Sequence, residues 1–182
     1  MSDISKIKQQ IADENIEFLK LQSVDLFGKK VLDVGFGLGY NSNAMRNLGA
    51  IVYGVEPDKE AFDYAVSNGL IDQDKAFNCK LQNIPDNLIG AFDVVTVFLY
   101  CIPFLEREEF ASILAKMVKQ DGIVVIGIAD DIFITGDQYI EPVSSSIWRS
   151  FEIVSSVRTN FTNKCFLLAE NPMVLQKGQL HT

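Results

Sequence analysis

The sequence predicts a doubly wound α/β domain: a mostly parallel seven-stranded sheet with helices on both faces and an antiparallel hairpin at its C-terminal end. Three observations carry this. Apolar runs of strand length alternate with stretches of helical periodicity along the chain. The runs VLDVG, FDVVTVFLY and GIVVIGIA are nearly continuous in apolar residues, as strands covered by helices on two sides must be. Two further runs, 151–159 and 164–170, are separated by only four residues, which suits a hairpin and cannot hold a parallel crossover.

The elements follow in order. Ile4, Ile7, Ile11 and Phe18 fall at helical spacing and predict an amphipathic helix over 3–22. Residues 31–35 form a short buried strand. Asn41 and Ser42 are candidate caps for a helix that ends near Leu48, with Gly49 as its stop. IVYGVE (51–56) is a second strand, and Pro57 with Asp58 opens a helix through Ser67. AFNCK (76–80) is a weaker third strand and FDVVTVFLY (92–100) a strong fourth. Phe110, Ile113, Leu114 and Met117 mark a helix over 104–119, followed by a fifth strand at 122–129 and a short helix within 130–147. The 182 residues suit one domain, divided as an N-terminal helical part (1–25), a core (26–170) and a tail (171–182).

Composition narrows the function. Sixteen Lys and Arg against twenty-four Asp and Glu give a net charge of -8, which disfavours nucleic acid as a partner. Cys79, Cys101 and Cys165 are scattered, without metal-ligand spacing, so no metal site is expected. Reduced thiols of this kind fit a cytoplasmic protein. The polar opening MSDISKIKQQ does not read as a signal peptide, and no apolar run approaches the roughly 18 residues of a membrane span, so no membrane partner is expected. The single histidine, His181, is next to last, which argues against a histidine base.

The site signal lies in VLDVGFGLGY. An acid, Asp33, interrupts an apolar strand that ends in three glycines, Gly35, Gly37 and Gly39. Missing side chains let a ligand approach the backbone, and the following helix N-terminus adds N–H donors. Asp33, if buried, needs a partner. Backbone N–H groups of the turn or a ligand ammonium reached through water would serve, and a purely structural brace is compatible with either. Glu56 closes the second strand seventeen residues after Gly39, where a carboxylate can accept from two vicinal ribose hydroxyls.

These residues resemble the class I methyltransferases that use S-adenosylmethionine. That family's first motif, hhD-h-G-x-G-x-G, is matched at every position by VLDVGFGLG. Its acid at the end of strand 2 is matched by VYGVEPD, its F-D-x-V strand by FDVV, and its turn before strand 5 by VKQDGIVVI. The resemblance covers roughly residues 26–130, and the terminal hairpin is similar to the family's antiparallel seventh strand. It implies a Rossmann-like methyltransferase fold with S-adenosylmethionine as cofactor. By position it implies that the turn Gly35-Phe36-Gly37 contacts the methionine part of the cofactor, with Gly39 and Phe98 also among the cofactor-binding residues. Asp33 would hold its amino group, Glu56 the ribose, and Pro57 would lie near the adenine. Where the family often carries an acid for the adenine, this chain has Lys80, and Gln82 or Asn83 would supply amide contacts instead.

The expected reaction is an in-line displacement that needs placement more than a fixed catalytic residue, and none is named. The acceptor site is expected at 98–104, where Phe98 stands in place of the Asn or Asp of N/D-P-P-Y motifs. Cys101 precedes Ile102-Pro103 and so does not form the Pro-Cys pair of cytosine C5 chemistry. Tyr100 reads as a pocket wall or a proton shuttle, Asp130-Asp131 as solvated loop acids or a grip for a cationic substrate, and Trp148 as core. The expected acceptor is a small molecule, with a protein acceptor as the alternative. Two other classes compete: a non-catalytic S-adenosylmethionine-binding sensor or assembly module, and an NAD(P)-dependent oxidoreductase, which the G-x-G-x-G spacing disfavours.

Overall fold

A computed structural model describes residues 3–98, 107–129, 151–156 and 170–177. The elements are α1 (Asp3–Leu21), β1 (Lys30–Val34), α2 (Tyr40–Asn47), β2 (Ile51–Val55), α3 (Lys59–Ser67), β3 (Ala76–Phe77), β4 (Phe92–Phe98), α4 (Arg107–Met117), β5 (Val118–Ala129), β6 (Phe151–Ser156) and β7 (Glu170–Lys177). The sheet order is β3-β2-β1-β4-β5-β7-β6. β1 to β5 are parallel, while β7 runs antiparallel to both β5 and β6. The chain moves outward from β1 to β3, then returns to lay β4 on the other side of β1. Strand order therefore reverses between β1 and β4, the place where open α/β sheets form a ligand crevice at their C-terminal strand ends.

Alternation along the central strands sorts side chains to two faces. Leu32, Val34, Val95 and Val97 join Phe110 and Leu114 of α4 on one face. Val31, Val94 and Phe98 join Ile16, Phe18 and Leu19 of α1 and Met45 of α2 on the other. Asp33 and Thr96 fall on this second face, one step nearer the crevice than Val31 and Val94.

Several boundaries differ from the sequence reading. α1 spans its expected residues, but Ile4 (64% exposed) and Ile7 face outward, while Ser5, Ala12, Asn15, Ile16 and Leu19 are buried. Two polar residues took places on the inner face because they find partners there. Asn15 Nδ2 donates to Asn41 Oδ1 at 3.1 Å, and Ser5 hydrogen-bonds to Tyr40 and Tyr64, whose hydroxyls lie 3.1 Å apart. α2 is not capped by Asn41 or Ser42. Gly39 is its N-cap residue, without a side-chain bond, because both polar side chains are used elsewhere. Asp58 caps α3, accepting from Ala61 N at 2.9 Å. β3 is only two residues long, and β5 begins at Val118, directly after α4, so the fourth helix is shorter than expected.

Among the described residues the strand antiparallel to β5 is Glu170–Lys177; the expected strand at 164–170, apart from Glu170, and the four-residue gap before it lie outside the described residues. The apolar run KCFLLAE is the one expected to form the last strand, and 171–182 is expected as a tail. β7 pairs with β5 in the register Ile126↔Met173 and Val125↔Val174. The stretch expected as a tail therefore contributes a strand. The expected helix within 130–147, Trp148, Tyr100, Cys101, Asp130, Asp131, Cys165 and His181 lie outside the described residues.

One glycine inside β2 sets the distance between sheet and glycine turn. A Cβ on Gly54 would sit 2.5 Å from Phe36 Cδ1 and 2.6 Å from Ile71 Cδ1. Phe36 is buried with Ala65 and Ile71 and meets Phe62 with ring centroids 6.1 Å apart. Gly54→Ala is expected to lower stability by about 1–3 kcal/mol through overpacking. Urea denaturation of that variant, with an unchanged midpoint, would refute the close approach.

Candidate functional site

The sequence GFGLG forms the loop between β1 and α2 because three of its residues take left-handed backbone angles, with φ 69° at Gly35, 55° at Gly37 and 84° at Gly39. Gly39 also has no room for a side chain, since a Cβ would fall 2.9 Å from that of Ala65. Gly37 differs: a Cβ there would meet nothing within 4 Å. The absent side chain thus leaves open space at the tip of β1, a cradle that a bound molecule would fill. The turn is anchored to β2 by Gly35 N and Phe36 N, both donating to Val55 O at 2.8 and 3.3 Å.

Glu56 follows β2 directly and is 7% exposed. Its Oε2 accepts from Gly37 N and its Oε1 from Asp58 N, each at 2.8 Å. Its backbone is held as well, its N–H donating to Phe77 O and its carbonyl accepting from Asn78 Nδ2. The carboxylate is therefore fixed against the open side of the glycine turn. Each oxygen retains lone-pair capacity for a further donor.

Asp33 lies deeper, 1% exposed, and does not use the turn's N–H groups. Ser42 Oγ donates to Oδ2 at 2.6 Å and Thr96 Oγ1 to Oδ1 at 3.1 Å. Both hydroxyl residues are fully buried. Burial pushes the Asp33 carboxyl up from its ordinary 3.8 to about 6, the two hydroxyl bonds pull it back, and the charge of Glu56 adds to the rise. Side chains from α2 and β4, rather than the turn N–H groups, are thus its protein partners. Ser42 and Thr96 were the residues that sequence reasoning missed. The available signal was a lone hydroxyl in the otherwise apolar run VVTVF.

The family model described as the methyltransferase domain matches residues 32–126, from the first strand to the fifth. The chain belongs to the methyltransferase domain family. It is 35% identical over 120 residues to the ubiquinone biosynthesis O-methyltransferase of Haemophilus ducreyi, a match covering 60% of this chain and 49% of that protein. It is also 35% identical over 116 residues to the ribosomal protein L11 methyltransferase of Aliivibrio salmonicida, covering 60% of this chain and 37% of that one. The chain thus spans half or less of the length of these two relatives. Among solved structures it resembles the magnesium protoporphyrin IX methyltransferase of Synechocystis PCC 6803 with bound S-adenosylmethionine. There the TM-score is 0.66 at 18% identity, over 96% of this chain and 82% of that one. The 1,6-didemethyltoxoflavin-N1-methyltransferase of Burkholderia thailandensis gives 0.67 at 15% identity, over 94% and 77%. These likenesses establish the Rossmann-like methyltransferase fold.

Within this methyltransferase domain the remaining candidate residues take three positions. Pro57 is exposed between Glu56 and the α3 cap. Gln82 and Asn83 are exposed on a short 3-10 turn, Leu81–Asn83. Phe98 ends β4 and is buried in the core shared with α1 and α2, and the Phe36 side chain is buried with Ala65 and Ile71. The rest of the expected acceptor segment, 99–104, lies outside the described residues. Among the described residues no cluster of three His, Cys, Asp or Glu could hold a metal, and no helix is long and apolar enough to cross a membrane.

The Asp33 geometry has a stability consequence. Unfolded, the carboxyl ionises near 3.8, whereas folded it does so near 6. The unfolded chain therefore loses its proton first, and stability falls as pH rises from about 4 through 6. Asp33→Asn is expected to be more stable than the native chain above pH 6, by up to about 3 kcal/mol, with the gap closing toward pH 4. Chemical denaturation at pH 4.5 and 7.5 measures this; equal gaps at both would contradict it.

Proposed function

We propose that this chain is an S-adenosylmethionine-dependent methyltransferase that methylates a small-molecule acceptor in the cytoplasm. The observation that carries this reading is Glu56: a buried carboxylate at the end of β2, held beside an open glycine cradle by Gly37 N–H and Asp58 N–H. When bound, S-adenosylmethionine would supply a methyl group already activated on a sulfonium sulfur. Glu56 would accept from the ribose hydroxyls with the lone pairs that the two backbone donors leave free. Gly35, Gly37 and Gly39 would border the methionine part through their backbone. Asp33 would contribute negative charge beneath it, and Pro57, Gln82 and Asn83 would lie along the adenine. Phe98, buried at the tip of β4, would exclude water from the floor of the acceptor side.

The Haemophilus ducreyi relative is named for ubiquinone biosynthesis, which favours a small acceptor here, while the L11 relative is named for a protein. Family membership favours methyl transfer over the NAD(P)-dependent alternative. A cofactor-binding sensor module is favoured only by the missing adenine acid and the lack of a catalytic motif in the sequence.

Thermal shift with S-adenosylmethionine, S-adenosylhomocysteine, NAD and NADP sorts the cofactor class, because a ligand that binds the folded state raises apparent stability. Stabilisation by the first two alone is expected. Appearance of S-adenosylhomocysteine across a panel of small metabolites, without one from peptides, tests the acceptor. Glu56→Ala is expected to weaken S-adenosylmethionine binding by about 1–3 kcal/mol, the order for hydrogen bonds to a charged group. Unaltered affinity in a folded variant, read by calorimetry, would remove the ribose assignment.

A further inference from the structure

Asp33 and Glu56 are two buried carboxylates at the ends of adjacent strands. The ion pairs among the described residues, such as Arg46–Asp72 and Lys119–Asp93, involve neither of them. Glu56 accepts from two backbone N–H groups, whereas Asp33 is held only by two neutral hydroxyls. A hydroxyl keeps a buried carboxylate ionised only as far as its hydrogen bond offsets the lost hydration. The groups facing Asp33 from the packed elements are Ser42 from α2, Thr96 from β4 and Glu56 from the end of β2. Of these only Glu56 is charged, and it opposes ionisation. Nothing among the described residues neutralises this pair, so a cationic ligand in the crevice would be the missing counter-charge.

We propose that Ser42 and Thr96 are positioning residues for cofactor binding: acting through Asp33, they hold its carboxylate ionised beneath the glycine turn, so that the cofactor's positive charge meets a ready counter-charge, and binding is linked to release of a proton only at acid pH, where Asp33 is protonated. This rests on the reading of the crevice as an S-adenosylmethionine site. It adds a role for two residues that do not touch the ligand, and it makes affinity depend on pH. Thr96 is well placed for the task. Its Oγ1 also lies 3.5 Å from Leu32 O and 3.9 Å from Met45 Sδ, so the hydroxyl is confined, with Asp33 as its nearest acceptor. Ser42 sits in the first turn of α2, so the same carboxylate fixes the helix N-terminus to β1.

The sign follows from the folded titration near 6. Above that value the site is already negative and binding releases no proton. Below it, a proton must leave Asp33 before the cation is fully stabilised, so affinity falls as pH falls.

The test is isothermal titration of the whole chain with S-adenosylmethionine from pH 5.0 to 8.0, in two buffers of different ionisation enthalpy, which counts released protons. For the native chain, affinity is expected to fall roughly three- to fivefold between pH 7.5 and 5.5, with proton release appearing near pH 6. Thr96→Val and Ser42→Ala should each move that midpoint up by about 1 pH unit, as loss of a hydrogen bond to a charged group requires. Thr96→Ser, which keeps the hydroxyl, should restore it, and Asp33→Asn should bind weakly with no proton release. Carbon-13 carboxyl resonances of the ligand-free chain follow the Asp33 titration directly and must move in the same direction in the Val variant. Tight binding with a flat profile and no protons released overturns the proposal while leaving the methyltransferase reading intact. A midpoint unmoved in Thr96→Val, or moved equally in Thr96→Ser, overturns it as well. A folded native chain that binds no S-adenosylmethionine at any pH overturns both.

Discussion

A carboxylate with almost no access to water, on the central strand of a parallel sheet, constrains everything around it. Asp33 meets this by drawing one hydroxyl from α2 and one from β4, and in doing so it joins its own strand to the next helix and to a strand sixty-three positions away. β1 and β4 already share backbone pairing through Val31↔Val94 and Asp33↔Thr96. The side-chain bonds add the helix N-terminus to that pairing, at the point where strand order reverses. The glycine turn between Gly35 and Gly39 is thereby held between two fixed ends, a strand below and a helix tied back to it. Its open space is thus a property of a rigid frame rather than of a loose loop.

Glu56 completes the frame from the other side. A charge at a strand end would ordinarily turn to solvent, but here it is enclosed because two backbone N–H groups point at it. One of them belongs to Gly37, so the acid and the turn position each other. Gly54, two residues upstream, permits this because a larger residue in β2 would displace Phe36 and with it the turn. Sheet, turn and acid are thus coupled through ordinary packing and hydrogen bonding. The electrostatic result is a crevice rich in negative charge, in which two hydroxyl bonds offset part of the burial that disfavours an ionised Asp33.

Local pattern read the framework well where one signal sufficed. The parallel core strands, the capped start of α3 at Asp58 and the stop at Gly49 are all visible in short windows, because backbone preference and apolar spacing act within a few residues. Pattern failed where two local solutions competed. Ile4 and Ile7 suggested the buried stripe of α1, yet the helix turned Ser5 and Asn15 inward because polar partners on α2 and α3 waited there. The strand at Glu170–Lys177 was not read from the sequence, because the run ENPMVLQK mixes polar and apolar residues and its place in the sheet is set by pairing with β5.

The sequence by itself determined the class of fold, the glycine turn and the two acids that flank it. It did so because those depend on residue type and on spacings along the chain. Only the tertiary structure decided what the acids touch. Ser42 read as a helix cap and Thr96 as one more strand residue until folding brought them to Asp33 across nine and sixty-three positions. The reason is physical: a buried charge selects its hydrogen-bond partners by proximity in space, and that proximity exists only after the sheet has been assembled.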